Sequence, residues 1–491
     1  MTRRPPFNRC RPLADESGAI LVVFALMLAI FAGIMALSYD FGRVAATQSE
    51  MQSFADTVAL AAAGELDGGP DAIERAERAA TTLITDLQTY GDGGATLDAD
   101  DITLAFYALR PDAQGAVAQT STPQAARFVS VRLDDRGVAP VFGAVFAALG
   151  GDTAGRDTAG AHAVAGFTRY ACNVTPLMIC APSASFDISA NVGRSLDLHL
   201  AADAGQLAAG AIAPLDPVAD LIGLDGVCAG LSGIGLDICM IAGEADKPVC
   251  LADDGVSVRD SLLSVSLDAA LNIPFDIYDG PAGDLLGDAL YPAASNVLSS
   301  FAPSAGSCLT SSNATLGASL GLPLDDCQSG GSCGVLGDGD WATGRDLYIE
   351  ANYGGDDPHP EAETRFDLYV AELEAALEGD TGSGSGGLVG GLLGGVGDVL
   401  DLDVGPTCTP ETSEDPARRV ISAAVVDCGA NAVTAGSRDV PVLGYAELFL
   451  MAPVGLDGTD GLAVEIVGQI GPSPADNVTG AALRDVVRLY D

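Results

Sequence analysis

The cysteines are the residues of this sequence with the most evident chemistry. The chain of 491 residues has 11 of them, and ten follow residue 171. An even set of this kind is typical of disulfides that form in an oxidising compartment. Short intervening loops favour Cys172–Cys180 and Cys327–Cys333 as pairs, and the sequence leaves the other pairings open. The ten candidates are Cys172, Cys180, Cys228, Cys239, Cys250, Cys308, Cys327, Cys333, Cys408 and Cys428.

A catalytic constellation is harder to find. The segment Gly317–Gly321 matches the G-x-S-x-G pattern of many hydrolases, but the chain has 61 glycines and a chance match is expected. No strand-then-helix pattern frames this segment. An enzyme of this kind would need Ser319 to meet His199 or His359 and a carboxylate, and no spacing predicts that meeting. We therefore expect no catalytic residue.

Metal and cofactor sites are also not predicted. No two cysteines form a C-x-x-C pair and the three histidines are scattered, which argues against zinc. Two acid pairs lack the closing glutamate of a calcium loop, and one glycine pattern follows an acidic helix where nucleotide binding requires a strand. These incomplete patterns are Asp338 with Asp340, Asp401 with Asp403, and Gly382 with Gly384 and Gly387.

Composition limits the partners of the chain. Hydrophobic residues make up 48% of it, which is enough to fill a core, and the length suggests two or three folded units. The formal net charge is −44, and Lys247 is the only lysine. A surface of this charge repels nucleic acid and anionic lipid headgroups. We expect no nucleic acid and no small-molecule substrate as partners.

The element that must position everything else is an uncharged apolar run, Ala19–Ser38. Its 20 residues would form a helix about 30 Å long, the thickness of the hydrocarbon core of a bilayer. Arginines precede the run and a strongly acidic chain follows it, so the positive-inside rule places the N-terminus in the cytoplasm. The arginines are Arg3, Arg4, Arg9 and Arg11.

The helical pattern continues beyond the apolar run to Leu66 and ends at a Gly-Gly-Pro stop. Within the run, small residues recur four apart, a spacing that lets a second helix approach closely in lipid. Beyond it, a narrow apolar stripe of the coiled-coil type follows, which favours helical partners. The predicted helix-packing residues are Ala25, Ala29 and Gly33 in the run and Val44, Met51 and Val58 in the stripe.

The stretch from Glu16 to Leu66 resembles the TadE/TadG-like proteins of tight-adherence (Tad, Flp-type) pilus assembly. The matching features are an acidic residue and glycine before the span, Asp40-Phe41-Gly42-Arg43 after it, and then Gln52, Ala55-Asp56 and a run of alanines. The resemblance covers about a tenth of the chain. It implies a non-catalytic pilus-assembly protein, with other pilus-assembly or pseudopilin subunits as partners.

Two family features are incomplete here. Prepilin-type substrates carry Gly at the cleavage point and Glu five residues later, whereas this chain has Gly18 followed by Val23. Some long members carry a metal-dependent adhesion site of the form D-x-S-x-S, whereas the segment from Asp187 ends in Asn191. We therefore expect the N-terminus to remain as a membrane anchor, and we predict no metal at Asp187.

The rest of the chain predicts an α+β fold. A second helix starts at Pro70, has its apolar face through Leu87 and ends at Gly91, and strands follow around residues 102–108 and 129–133. Residues 138–166 favour a helix and then a loop. Short helices are expected at 208–221 and 285–298, and a clearer amphipathic helix at 364–378. Apolar or alternating stretches predict strands at 420–426, 440–450 and 463–470, and 483–490 fits a short helix or a final strand.

These elements define the expected organisation: a transmembrane helix that continues as a long amphipathic helix, a pilin-like α/β head, a disulfide-rich insertion and a β-rich C-terminal part. The expected bounds are 1–18 for a cytoplasmic tail, 19–66 for the helix, 67–171 for the head, 172–345 for the insertion, 346–378 for a helical segment, 379–407 for a Gly-rich linker and 408–491 for the C-terminal part.

The functional hypothesis is a single-pass protein of the bacterial inner membrane whose bulk lies in the periplasm and which helps to build or anchor a Flp/Tad-type pilus by contact. An adhesin released after cleavage near Ser38 and a membrane-tethered hydrolase remain as alternatives. The resemblance and the charge pattern favour the first hypothesis.

Overall fold

The computed structural model divides the chain into two compact units. Unit 1 comprises residues 1–167 and 486–491, and unit 2 comprises residues 168–485. The residues described are 17–82, 86–87, 96–97, 101–111, 117–138, 140–142, 158–201, 205–216, 227–245, 247, 249–252, 255–262, 264–304, 307–380, 405–456, 458 and 461–490. The predicted cytoplasmic tail up to residue 16 and most of the predicted Gly-rich linker lie outside them.

The described residues form a mixed α+β fold, as predicted. The helices are α1 (Ser17–Ala63), α2 (Ala72–Thr82), α3 (Ile234–Ala242), α4 (Ser264–Asn272), α5 (Asp326–Ser329), α6 (Ala342–Tyr353), α7 (Arg365–Asp380) and α8 (Cys428–Asn431). The strands are β1 (Asp86–Leu87), β2 (Thr96–Leu97), β3 (Ile102–Tyr107), β4 (Phe128–Gly137), β5 (Thr158–Cys172), β6 (Leu177–Cys180), β7 (Ser195–Leu200), β8 (Ala211–Pro214), β9 (Cys250–Ala252), β10 (Ala293–Ala294), β11 (Phe301–Pro303), β12 (Ala314–Leu316), β13 (Thr412–Ser413), β14 (Val420–Val426), β15 (Val442–Leu450), β16 (Gly461–Gln469) and β17 (Ala482–Tyr490).

Helix α1 organises unit 1. It runs without a break for 47 residues, because alanine, the best helix former, is its most frequent residue and no proline interrupts it. The amide of Gly64 still donates to the carbonyl of Leu60, and Gly68, with φ of +84°, then turns the chain toward α2. The predicted continuity of the span with the following amphipathic helix is confirmed.

The sheet of unit 1 covers the second half of α1. Strands β3, β4 and β5 pair antiparallel in that order, and β17 joins on the other side of β5. The alternation that predicted β3 and β4 is confirmed, since Val129, Val131 and Leu133 point into the core while Arg132 and Asp134 are exposed. Their core partners on α1 are Met51, Phe54, Ala55, Val58, Ala59, Ala62 and Ala63.

Two predictions for unit 1 are wrong. Helix α2 ends at Thr82, and Asp86–Leu87 pairs with Thr96–Leu97 as a short antiparallel ladder, although the helix was expected to continue through Leu87. Residues 158–166 form part of β5, although a loop was expected there. Every second residue of this stretch is a buried alanine that packs in the core. The pairing with β4 therefore selects a strand where alanine and glycine content had suggested otherwise.

Unit 2 is built around a closed barrel. Its strands follow the order β14-β15-β16-β7-β8-β6, and β6 returns to β14. Strands β14, β15 and β16 pair antiparallel, whereas the β6–β14 and β7–β8 pairs are parallel. Strands β6, β7 and β8 from the expected insertion and strands β14, β15 and β16 from the expected C-terminal part therefore form one barrel. The predicted strands at the C-terminus are confirmed, and residues 483–490 belong to the strand β17.

The helices of unit 2 agree only in part with the prediction. Helix α7 confirms the amphipathic segment, with Phe366, Tyr369 and Leu373 packed against Phe449 and its neighbours. The two short helices expected at 208–221 and 285–298 are wrong, because their described residues include the strands β8 and β10. Helices α3 and α4 pack on the barrel core instead.

The described part of the chain contains five disulfides, all within unit 2. They join Cys172 to Cys250, Cys180 to Cys428, Cys228 to Cys239, Cys308 to Cys408 and Cys327 to Cys333. The expected Cys327–Cys333 pair is confirmed and the expected Cys172–Cys180 pair is wrong. Cys172 lies directly opposite Cys250 in the β5–β9 ladder. The register of the sheet therefore determines the disulfide partner of Cys172, and a short sequence separation does not.

Candidate assembly surface on the N-terminal helix

The first half of α1 is an exposed apolar surface. Within the described residues, one helix is long and apolar enough to cross a membrane, and its most apolar window is not buried against any other part of the protein. Leucine, isoleucine, valine, methionine and phenylalanine side chains from Ile20 to Met35 are exposed around the whole helix. A helix that is apolar on all sides is stable in lipid or inside a protein, and here no protein covers it.

The predicted small-residue face lies in this exposed half. Ala25 and Ala29 are exposed and Gly33 is half-exposed. A Cβ atom added to Gly33 would meet no atom within 4 Å, so the chain itself does not use this glycine for close packing. The three positions are four residues apart and share one face, which leaves a shallow strip for the backbone of another helix.

The other predicted packing residues have a different environment. Met51 and Val58 are fully buried against the sheet of unit 1, and Val44 packs at the edge of the same core. The stripe that predicted helical partners is therefore covered by the chain's own strands. Of the six predicted residues, Ala25, Ala29 and Gly33 are the ones that remain accessible to a partner.

The junction between the two halves contains a contact that the sequence analysis missed. Asp40 accepts hydrogen bonds from the backbone amides of Val141, at 2.9 Å from Oδ1, and Phe142, at 3.0 Å from Oδ2. The ring of Tyr39 meets the ring of Phe142 edge to face, with centroids 5.9 Å apart. The sequence named Asp40 only as part of the family pattern after the span, and its partner lies 101 residues away, where no local pattern predicts it.

Ion pairs and a hydrogen bond hold the turn that follows the C-terminal end of α1. Arg75 of α2 lies 2.5 Å from Asp67 and 3.4 Å from Glu65. The amide of Gly69 donates to Asp67, and together with Arg75 this bond lowers the pKa of the Asp67 carboxyl. The turn between α1 and α2 is thus closed by hydrogen bonds and ion pairs.

Unit 2 holds a buried ionic cluster that has a structural role. Arg365, at the first residue of α7, contacts the carboxylate of Asp325 and lies 3.1 Å from Glu465 of β16. Burial raises the pKa of Glu465, and Arg365 and two backbone amides oppose that rise. The cluster also places Arg365 over the ring of Trp341 at 4.8 Å. These contacts join α7 to the barrel.

A cavity of about 260 Å³ lies beside Arg418. Arg418 donates to the carbonyls of Pro292, at 2.7 Å, and Ala242, at 2.8 Å. Lys247 and the carboxylates of Glu244 and Asp415 also line the cavity, so two positive and two negative groups balance there. The lining favours neither an anion nor a cation.

The hydrolase hypothesis gains no support from the geometry. Ser319 Oγ donates to the carbonyl of Ser299 at 2.8 Å, and His359 Nδ1 lies 3.9 Å from the carboxylate of Glu361. His199 is exposed on strand β7. Asp187 accepts from the amide of Ala190 and closes a turn. Among the described residues, no three His, Cys, Asp or Glu side chains are grouped to hold a metal.

Comparison with curated proteins and with solved structures gives no match. The comparison with protein families gives one finding, and it lies on the helix described above. Residues 18–65 run from the second residue of α1 to just past its end and make up about a tenth of the chain. This segment matches the family Tad, Flp pilus-assembly TadE/G-like, as the sequence pattern around the apolar span predicted.

Proposed function

We propose that this chain is a non-catalytic, membrane-anchored component of Flp/Tad-type pilus assembly. The observation that carries the proposal is the division of α1 into an uncovered apolar half and a half buried in unit 1, within a segment that matches the pilus-assembly family. One half of the helix is available to lipid and to other subunits, while the other half holds the folded part of the protein.

Partner binding is assigned to the face of Ala25, Ala29 and Gly33. Small side chains let two backbones approach closely, and van der Waals contact then replaces contact with lipid tails. The protein acts by this contact and by the surfaces of its folded units, and no bond of a substrate is made or broken.

The proposed topology is a single pass through the inner membrane with units 1 and 2 in the periplasm. Four arginines before the span support a cytoplasmic N-terminus. The five disulfides of unit 2 support an oxidising compartment for the rest. Protease added to spheroplasts should remove unit 2 and leave a short membrane fragment.

A photo-crosslinking residue at position 29 tests the proposal in the cell that makes the protein. We expect a crosslinked product that contains a second pilus-assembly subunit, identified by its peptide masses. The same residue at Phe31, on the opposite face of the helix, is the matched control and should give much less of it. Equal products at both positions, or none containing a pilus component, would contradict the proposal.

The variant Gly33→Leu provides a second test. A leucine side chain fills the strip that a neighbouring helix would occupy, so we expect at least about a tenfold loss of the crosslinked complex, equivalent to about 1.4 kcal/mol. Met35→Leu, on the other side of the helix, should have little effect. Mass spectrometry of the mature chain completes the design, since an N-terminus at Tyr39 would favour the released adhesin over an anchored protein.

A further inference from the structure

The residues that follow the apolar span present exposed aromatic and aliphatic side chains at one level along α1, with Tyr39 and Phe41 on opposite sides of the helix because they are two residues apart. Together the four side chains named next are called the patch. The exposed fraction is 54% for Tyr39, 50% for Phe41, 58% for Val141 and 40% for Phe142. Two of these residues belong to α1 and two come from a segment about 100 positions later in the chain. Exposing four large apolar side chains to water at one level of the molecule is unfavourable, and such an exposed apolar area marks a site of interaction.

The position of the patch relative to the span supplies that explanation. Tyr39 and Phe41 come one and three residues after Ser38, which is a rise of about 1.5 to 5 Å along the helix. This is the depth of the headgroup region when residues 19–38 fill the hydrocarbon core. Tyrosine and tryptophan are enriched at that depth because their rings are apolar and carry one polar group. Phenylalanine on an interfacial segment buries its ring at the same boundary.

Asp40 keeps the second segment at the same level. Its two carboxylate oxygens accept from the consecutive amides of Val141 and Phe142, so both oxygens and both amides are satisfied. Bare amides and a bare carboxylate would be costly in the interface, whereas the paired groups are not. The edge-to-face contact between Tyr39 and Phe142 adds to the attachment.

We propose that the segment Pro140–Phe142 is a second membrane contact, inserted into the lipid interface beside the span and held there by Asp40. Lipid covers the patch, because the patch begins at the level along α1 where the apolar span ends. This inference rests on the proposed membrane span. A helix attached at one point can tilt and rotate freely, and a second contact fixes the height and the rotation of unit 1 over the bilayer.

The structure also offers a matched position far from the membrane. Tyr107 pairs with Phe128 at the start of β4, and Leu109 follows two residues later with an exposed side chain. Residues 141–142 follow the other end of β4, which is ten residues or about 33 Å long. The end of α1 agrees with this orientation, since Gly68 lies next to Gln124 near the start of β4.

Tryptophan emission in proteoliposomes tests the inference on the full-length protein. Phe142→Trp, Leu109→Trp and Phe24→Trp are each compared with the parent, whose Trp341 provides the background. The liposomes are phosphatidylcholine with or without bromine atoms near the top of the acyl chains. We expect brominated lipid to reduce the added emission of Phe142→Trp at least about twofold and to leave that of Leu109→Trp unchanged.

The Phe24→Trp variant separates the two proposals. Quenching at position 24 without quenching at position 142 would overturn the second contact and leave the span intact. No quenching at position 24 would overturn the span itself. The attachment is tested by Asp40→Ala in the Phe142→Trp protein, where we expect the quenching to fall; unchanged quenching would show that Asp40 does not hold the segment in the interface.

Discussion

Glu372 is a buried acid. Removing its carboxylate from water costs free energy, and hydrogen bonds from neighbouring side chains offset that cost. Its carboxylate accepts from the hydroxyls of Tyr348 and Tyr353, each at 2.8 Å, and from the amide of Asn296 at 2.9 Å. Burial raises the pKa of Glu372, and these three hydrogen bonds oppose the rise. The residue joins α7 to α6 and to the segment around Asn296 without any direct ion pair among the contacts described.

The raised pKa of Glu372 makes the stability of unit 2 depend on pH. As the pH rises above the ordinary value of 4.5, the unfolded chain loses its proton first and the folded chain retains it longer. The unfolded state then binds fewer protons, so the free energy of unfolding falls with rising pH until the folded group has ionised. We expect Glu372→Gln to remove this part of the pH dependence.

Urea unfolding at a series of pH values above 4.5 measures the effect. Glu374→Gln is the matched control, because Glu374 is exposed on the same helix, and it should keep the pH dependence of the parent. An unchanged slope in Glu372→Gln would show that the folded carboxyl titrates like an unfolded one.

At the scale of elements, the disulfides differ in the length of chain they close. Cys180–Cys428 joins the end of β6 to the helix after β14 and closes 248 residues, whereas Cys327–Cys333 closes six. A longer loop loses more freedom in the unfolded chain when it is closed, by the chain-entropy model. We expect replacing Cys180 and Cys428 by alanine to cost about 5 kcal/mol, and the same change at Cys327 and Cys333 about 2 kcal/mol.

Chemical unfolding of the two double variants, followed by circular dichroism, compares these costs. Both variants leave four disulfides of the five described, so the comparison is matched in number. A cost for the short loop equal to or larger than that for the long one would contradict the entropic account and indicate that local packing around Cys327 dominates.

The elements that the sequence predicted are those with a strong local pattern. The uninterrupted apolar and alanine-rich run predicted α1, and alternation predicted β3 and β4. The all-apolar run 420–426 and its neighbours predicted the C-terminal strands. In contrast, the residues of 158–166 that alternate into the core are all alanines. Alanine and glycine do not distinguish a strand from a loop unless the neighbouring strand is known.

Local spacing likewise describes only part of the candidate site. Spacing predicted a helix-packing face at Ala25, Ala29 and Gly33; the structure leaves these residues exposed or half-exposed, and their packing role stays a prediction. Spacing also showed that Met51 and Val58 share an apolar face, but a period does not say what covers that face. Strand β4 does so, and its contact with α1 spans about 70 residues of sequence. The link from Asp40 to Phe142 and the pairing of Cys172 depend on contacts of the same long range.

At the scale of the whole molecule, the last residues of the chain belong to the first unit. Residues 486–491 lie in unit 1, where Val487 packs on the core and Tyr490 contacts the ring of Phe128 at 5.4 Å. Both rings lie over Gly166 of β5, and a Cβ atom there would meet them at 2.6 to 2.8 Å. The glycine therefore leaves the space that the terminal tyrosine fills.

Removing residues 486–491 should loosen unit 1 and spare unit 2. We expect the amides of residues 158–167 to exchange with deuterium at least about tenfold faster, because β5 loses a neighbouring strand and about 1.4 kcal/mol or more of local stability. Leu489→Ala, which changes a partly exposed side chain of β17, should have a small effect. Exchange in unit 1 that is the same with and without these residues would contradict the assigned role of the terminus.

The return of the last strand to the first unit has a consequence for synthesis. Helix α1 ends at Ala63 and β17 begins at Ala482, so the sheet of unit 1 acquires its outer strand only after all the residues between them have been synthesised. A chain that stalls or is clipped near its end would keep the edge of β5 bare. A protease or chaperone that recognises open strand edges would then distinguish such copies from those in which β17 has paired.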